Sequence, residues 1–102
     1  EIYYEYSDLV MKHYREWHHV SEYAEAMRLT LPHICSTIKS YSGKTAGEMI
    51  TDAILTDAKA QLKITNLQVK EIAFSLGFEN VAFFNRFFKS HTGLTPKMYR
   101  NS

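Results

Sequence analysis

An internal repeat restricts the folds open to this chain more than any other feature. Five positions recur 49 residues later: Val20, Tyr23, Ala24, Met27 and Leu29 correspond to Val69, Ile72, Ala73, Leu76 and Phe78. Six more recur 50 residues later: Ile34, Ile38, Lys39, Gly43, Thr45 and Ala46 correspond to Phe84, Phe88, Lys89, Gly93, Thr95 and Pro96. The apolar members of each copy have helical spacing on both sides of a short turn. The sequence therefore predicts two copies of one helix-turn-helix module.

Apolar spacings of three and four residues run through the whole chain, whereas no segment alternates cleanly with period two. This pattern predicts an all-α fold of about seven helices. The expected helices cover residues 2–17, 20–27, 31–41, 45–64, 69–76 and 80–91, with a short last helix from Thr95-Pro96. Thr30 and Thr45 are predicted N-caps, and Glu48 completes a capping box with Thr45. Gly77 supplies a left-handed turn residue, while Arg28 at the equivalent position predicts strain or a different turn.

The helix pattern also predicts the domain organisation. Residues 1–44 form a first helix-turn-helix subdomain, residues 45–64 a linker helix, and residues 65–102 a second subdomain. A linker of about 20 residues spans roughly 30 Å, which is close to the roughly 34 Å between successive major grooves on one side of B-DNA. The sequence thus favours a duplex partner contacted by both modules.

Charge and composition limit the function classes. The net charge of +1 is small for a nucleic-acid-binding protein. Residues 1–51 carry five Lys/Arg against seven Asp/Glu, whereas residues 52–102 carry seven against four, so the second half is the expected electrostatic anchor. No apolar run approaches the roughly 18 residues of a membrane span. One cysteine excludes an internal disulfide and fits a reducing compartment, and we expect a cytoplasmic protein without a cofactor.

The second module closely resembles a known family. Its residues read Val69-Lys-Glu-Ile-Ala-Phe-Ser-Leu-Gly-Phe-Glu-Asn80, then Ala82-Phe-Phe-Asn-Arg-Phe-Phe-Lys-Ser-His-Thr-Gly-Leu-Thr-Pro-Lys-Met-Tyr-Arg100. This stretch is similar to the second helix-turn-helix of AraC/XylS-type transcriptional regulators, and the rest of the chain is similar to the remainder of that DNA-binding domain. The resemblance implies sequence-specific binding of double-stranded DNA, with the third and sixth helices in major grooves. It also implies an upstream sensor or dimerisation domain in a longer regulator, and contact with RNA polymerase.

Arg86 is the leading candidate for reading a base. It lies between the apolar Phe84 and Phe88 and so points away from the buried stripe. An arginine there can donate two hydrogen bonds to guanine in the major groove, and the resemblance assigns base reading to this position. The alternative is a surface arginine that pairs with Glu79 or faces solvent. Three neighbours are expected to assist it: Asn85, Ala82 and Val81. Whether Phe83 packs or contacts DNA is left open.

In the first module, the positions matching these readers are Pro32, His33, Cys35 and Ser36. Ser36 takes the place equivalent to Arg86, where many relatives have a longer side chain, and Pro32 and Cys35 donate no strong hydrogen bond. We predict base contacts from Pro32, His33 and Ser36, but the first module either reads bases weakly or mainly positions the protein.

Seven residues are predicted to contact phosphates, because they are basic or because they open helices whose free N–H groups attract anions. They are Lys39, Lys44, Thr45, Lys89, Thr95, Lys97 and Arg100. For each lysine the alternative is an ordinary solvated charge.

Other chemistry is poorly supported. His13, His18 and His19 lack the additional ligands of a metal site, so no metal is predicted. The sequence has no phosphate-binding Gly loop, catalytic triad or paired catalytic carboxylates, and an enzyme is not expected. The alternative function is a helical protein-interaction module that contacts RNA polymerase or a sensor domain, which the low net charge slightly favours.

Overall fold

The computed structural model describes all 102 residues, Glu1–Ser102, and contains helices without strands. Its seven helices are α1 (Ile2–His13), α2 (Val20–Met27), α3 (Leu31–Ser42), α4 (Ala46–Ile64), α5 (Val69–Ser75), α6 (Val81–Thr92) and α7 (Pro96–Arg100). The predicted all-α fold is therefore confirmed. None of the helices combines the length and the apolarity needed to cross a bilayer.

The chain divides into two compact units. Unit 1 comprises Glu1–Ile54 and unit 2 comprises Leu55–Ser102. The division falls inside α4, so each unit contains about half of this helix. The predicted domain limits, with residues 45–64 as a separate linker, stay a prediction.

Unit 1 is built around fully buried side chains from α1, α2 and α3. Tyr6, Tyr23, Ile34 and Ile38 are each 0% exposed. The Tyr6 hydroxyl donates a 2.6 Å hydrogen bond to the carbonyl oxygen of Ala46, at the start of α4. Because this bond is buried, it satisfies the one polar atom that Tyr6 brings into the core.

The leading helix is shorter than predicted. The sequence indicated a helix over residues 2–17, but α1 ends at His13. The indole of Trp17 stacks on the His13 ring with centroids 3.9 Å apart, and the carbonyl of Trp17 accepts the Tyr23 hydroxyl at 3.0 Å. Trp17 therefore continues the apolar stripe of α1 from a turn, which explains why periodicity alone placed the helix end too late.

Unit 2 repeats this arrangement with Phe84 and Phe88 in place of Ile34 and Ile38, and with Ile72 in place of Tyr23. Ile72, Ala73, Phe84 and Phe88 are each 0% exposed. The absence of a side chain beyond Cβ at Ala73, as at Ala24 in unit 1, is what two closely crossing helices require. Most apolar positions of the repeat are thus buried in both copies, whereas Val20, Leu29 and Val69 are half-buried.

Each of the two helix-turn-helix turns contains an equivalent backbone hydrogen bond. The Leu29 N–H donates to the Ala24 carbonyl at 3.0 Å, and the Phe78 N–H donates to the Ala73 carbonyl at 3.0 Å. Both turns pass through the left-handed region, with φ of 88° at Gly77 and 59° at Arg28. Arg28 adopts the conformation that glycine adopts in the second copy, so the predicted strain at this position is present.

Side-chain caps fix where the helices begin. Thr30 accepts the His33 N–H at 3.3 Å. Thr45 and Glu48 form the predicted capping box, with bonds of 2.7 and 3.0 Å. These caps satisfy N–H groups at the starts of α3 and α4 through neighbouring residues alone.

Candidate nucleic-acid interface

The outer face of α6 presents the predicted base-reading residues to solvent. Asn80 caps this helix by accepting the Phe83 N–H at 2.7 Å, and Phe84 and Phe88 anchor its inner face in the core. Arg86 and Ala82 are exposed, whereas Asn85 and Val81 are half-buried. The helix therefore holds Arg86 outward on a rigid support, as a residue reading a groove requires.

The Arg86 guanidinium is not engaged by an acidic side chain. Its central carbon lies 6.0 Å from the centroid of the Phe83 ring, and no ion pair joins it to Glu79. Of the two alternatives considered from the sequence, a surface arginine that faces solvent is the one that remains. Phe83 is 53% exposed, with its ring edge-on to Phe78 at 5.8 Å between centroids. All the N–H donors of Arg86 remain available for an acceptor outside the protein.

The equivalent face of α3 is also exposed, but it offers weaker chemistry. Ile34 and Ile38 are buried, while Pro32, His33, Cys35 and Ser36 are exposed. Among these four, His33 and Ser36 have side chains that form strong hydrogen bonds. The structure places these four residues on one exposed face of α3, and their contacts with bases stay predictions.

Five of the seven predicted phosphate-contacting side chains form hydrogen bonds within the protein, and four of them lie around the end of α3 and the starts of α4 and α7. Lys39 donates to the Gly43 carbonyl at 2.8 Å, and Lys44 pairs with Asp52. The hydroxyls of Thr45 and Thr95 accept the N–H groups of Glu48 and Met98 at 3.0 and 3.1 Å. Their polar atoms therefore stabilise the free protein, and their phosphate contacts stay predictions.

Arg100 forms two hydrogen bonds within unit 2. Its Nε donates to the Leu62 carbonyl at 2.9 Å, and its Nη2 donates to the Thr65 carbonyl at 3.3 Å. These carbonyls lie at the C-terminal end of α4, where a cation is favoured by the helix dipole. The half-buried guanidinium therefore has a structural role that the sequence analysis did not foresee, and its phosphate contact stays a prediction.

Lys89 and Lys97 complete the set of seven. Both are exposed, on α6 and α7 of unit 2, and neither forms an ion pair within the protein. Compared with Lys39 and Lys44, they are free to meet a phosphate without breaking an existing bond. The predicted electrostatic anchor in the second half thus includes the two uncommitted lysines of the set.

His13 serves local packing. His13 stacks on Trp17 and its Nδ1 lies 3.2 Å from Glu16 Oε1. Nowhere do three His, Cys, Asp or Glu side chains come together as metal ligands.

A family model described as a helix-turn-helix domain matches residues 23–102. Among curated proteins, the chain is 36% identical over 67 residues to the uncharacterized HTH-type transcriptional regulator YobQ of Bacillus subtilis, covering 66% of this chain and 28% of that protein. It is 33% identical over 70 residues to the HTH-type transcriptional activator AarP of Providencia stuartii, covering 69% of this chain and 52% of that protein. The chain thus spans from about a quarter to about half of the length of these relatives.

Among solved structures, the chain is similar to the C-terminal domain of the two-component response regulator yesN from Fusobacterium nucleatum. The TM-score is 0.87 at 27% identity, and the match covers 93% of each chain. The fold of this chain therefore recurs in a protein of related sequence.

Proposed function

Because the chain belongs to the AraC/XylS-type family of helix-turn-helix DNA-binding domains of transcription regulators, we propose that it binds a specific duplex sequence with α3 and α6 in successive major grooves. The observation that supports this most directly is Arg86. It is exposed on a helix anchored by two buried phenylalanines, and its guanidinium has no acidic partner. The family is one of regulators rather than enzymes.

Arg86 is proposed to donate two hydrogen bonds to a guanine in the groove that α6 enters. Ala82 and Val81 supply apolar contacts suited to a thymine methyl, and Asn85 supplies an amide. On α3 the contacts come from Pro32, His33 and Ser36. Since these are short or singly hydrogen-bonding side chains, unit 1 is proposed to discriminate bases less strongly than unit 2.

The first test is selection of bound sequences from a random duplex library, followed by a fluorescence-anisotropy titration. We expect a site of roughly 17–20 bp with a Kd of order 10⁻⁸ M that weakens steeply with salt. Arg86→Ala should cost about 1–3 kcal/mol and relax the preference at one base pair. Arg15→Ala, which removes the same charge from the turn after α1, is the control and should retain base preference. Wild-type affinity and preference in Arg86→Ala would refute the assignment.

Further partners are proposed from the length of the relatives. The matched region covers only 28% of YobQ, so we propose that this domain operates beside a sensor or dimerisation domain. We also propose that it contacts RNA polymerase, as the family resemblance implies. Action on bacterial DNA implies a cytoplasmic location. If the domain instead acts only through proteins, it should pass through a heparin column at about 50 mM salt without retention.

A further inference from the structure

The two copies of the module differ in charge where a new helix begins after the exposed helix. Thr45 and Thr95 occupy equivalent positions, as cap residues of α4 and α7. Fifty residues separate Glu48 from Met98 and Asp52 from Ser102, so both carboxylates of the first copy are absent from the second. The first copy is acidic at this place and the second is not.

Both carboxylates contact residues that are predicted to bind a phosphate, namely Lys44 and Thr45. Asp52 Oδ2 lies 2.7 Å from Lys44 Nζ, and Glu48 Oε1 accepts the Thr45 N–H at 2.7 Å. The hydrogen bond and charge of Asp52 raise the pKa of Lys44 above its ordinary value. The backbone hydrogen bond from Thr45 lowers the pKa of Glu48. At neutral pH the lysine is therefore charged, and so is the Glu48 carboxylate.

The same contrast holds for whole units. Unit 1 carries five Lys/Arg against eight Asp/Glu, whereas unit 2 carries seven against three. Because Lys44 and Asp52 are both largely exposed, with 61% and 51% of their side chains accessible, their ion pair stabilises the fold little, and removing it should leave unit 1 folded. Any phosphate that approaches Lys44 also approaches the Asp52 carboxylate, which repels it.

We propose that the Asp52 carboxylate forms its ion pair with Lys44 in the place of a DNA phosphate, and thereby weakens the binding of unit 1 to the DNA backbone. Unit 2, with Lys89 and Lys97 free, then supplies most of the salt-dependent affinity. This inference rests on the proposed function. It concerns affinity and not base choice, because phosphate contacts are the same for every sequence.

The test compares two variants that gain the same charge within unit 1. Asp52→Asn frees Lys44, whereas Asp8→Asn removes an exposed carboxylate from α1. Anisotropy titrations at several salt concentrations should show Asp52→Asn binding about 3- to 10-fold more tightly than wild type, with a log–log salt slope steeper by about 0.9. Asp8→Asn should change both quantities much less. Equal effects of the two variants would overturn the proposal in favour of a general effect of net charge.

A double-mutant cycle identifies the group that is released. Adding Lys44→Gln in the Asp52→Asn background should abolish the gain, and its cost there should exceed its cost in the wild-type background. A gain that survives Lys44→Gln would overturn the proposal.

Elution from heparin provides a readout that does not require a cognate site. Asp52→Asn should elute at higher salt than Asp8→Asn, because the freed lysine meets any polyanion. If the selected duplexes are not bound, the proposed function fails and the inference fails with it, even where the heparin difference shows that Asp52 shields Lys44 from a polyanion. If duplexes are bound and the two variants elute together, the inference fails alone.

Discussion

Replacing Arg100 with methionine should separate a structural role of this residue from a DNA-contacting one. The substitution keeps much of the aliphatic stem but removes the hydrogen bonds to the Leu62 and Thr65 carbonyls. Hydrogen bonds from charged donors contribute about 1.5–3 kcal/mol each when buried. Since the guanidinium is only half-buried and water replaces part of the loss, we expect Arg100→Met to lower the free energy of unfolding by about 1–2 kcal/mol in total.

Urea denaturation followed by far-UV circular dichroism measures this loss. With a slope of about 1–3 kcal/mol/M for a small protein, a loss of this size should lower the midpoint by roughly 0.3–2 M. Lys97→Met is the matched control, because Lys97 lies on the same helix, is exposed and forms no ion pair. It should leave the midpoint unchanged while reducing the salt slope of DNA binding by about 0.9. An unchanged midpoint together with a reduced salt slope in Arg100→Met would show that its guanidinium serves the duplex and not α4.

Two further predictions concern stability within unit 1. Arg28→Gly should raise the free energy of unfolding by about 0.5–1 kcal/mol, because Arg28 has φ of 59° and a side chain is unfavourable there; a lower urea midpoint would contradict this account. Tyr6→Phe should cost about 1 kcal/mol at pH 7 by removing the bond to the Ala46 carbonyl. Burial raises the pKa of Tyr6 above 10.0, so its stabilisation is present below about pH 10 and lost as the pH rises further. Urea midpoints measured from pH 7 to 11 should fall less steeply above pH 10 in the phenylalanine variant, and an unchanged slope would argue against this titration.

Local signals in the sequence predicted most of the fold. The repeat and the apolar spacing located all seven helices, and the capping chemistry of Thr30 and Thr45 located two helix starts. The predicted end of α1 was wrong because Trp17 belongs to the apolar stripe but lies in a turn. Periodicity reports which side a residue faces, and it does not report whether the backbone is still helical.

The exposed faces of α3 and α6 were equally predictable, since the buried phenylalanines and isoleucines fix what points outward. The partners of the charged side chains could not be predicted from the sequence. Lys44 pairs with a residue eight positions away, and Arg100 reaches carbonyls at the far end of α4. Neither pairing follows the three- or four-residue spacing of contacts along one helix, so both required the tertiary structure. Two capping glutamates, Glu22 and Glu71, were also missed although they have capping-box spacing, because His19 and Gln68 are unusual residues to begin such a box.

The stacking of Trp17 on His13 has a practical consequence. Trp17 is the sole tryptophan of the chain and lies in unit 1, so the tryptophan fluorescence of the native protein reports on that unit alone. Because its ring is in contact with an imidazole, the emission is sensitive to the local surroundings of α1 and α2. A titration with unlabelled duplex can therefore follow the response of the more acidic half without any attached dye.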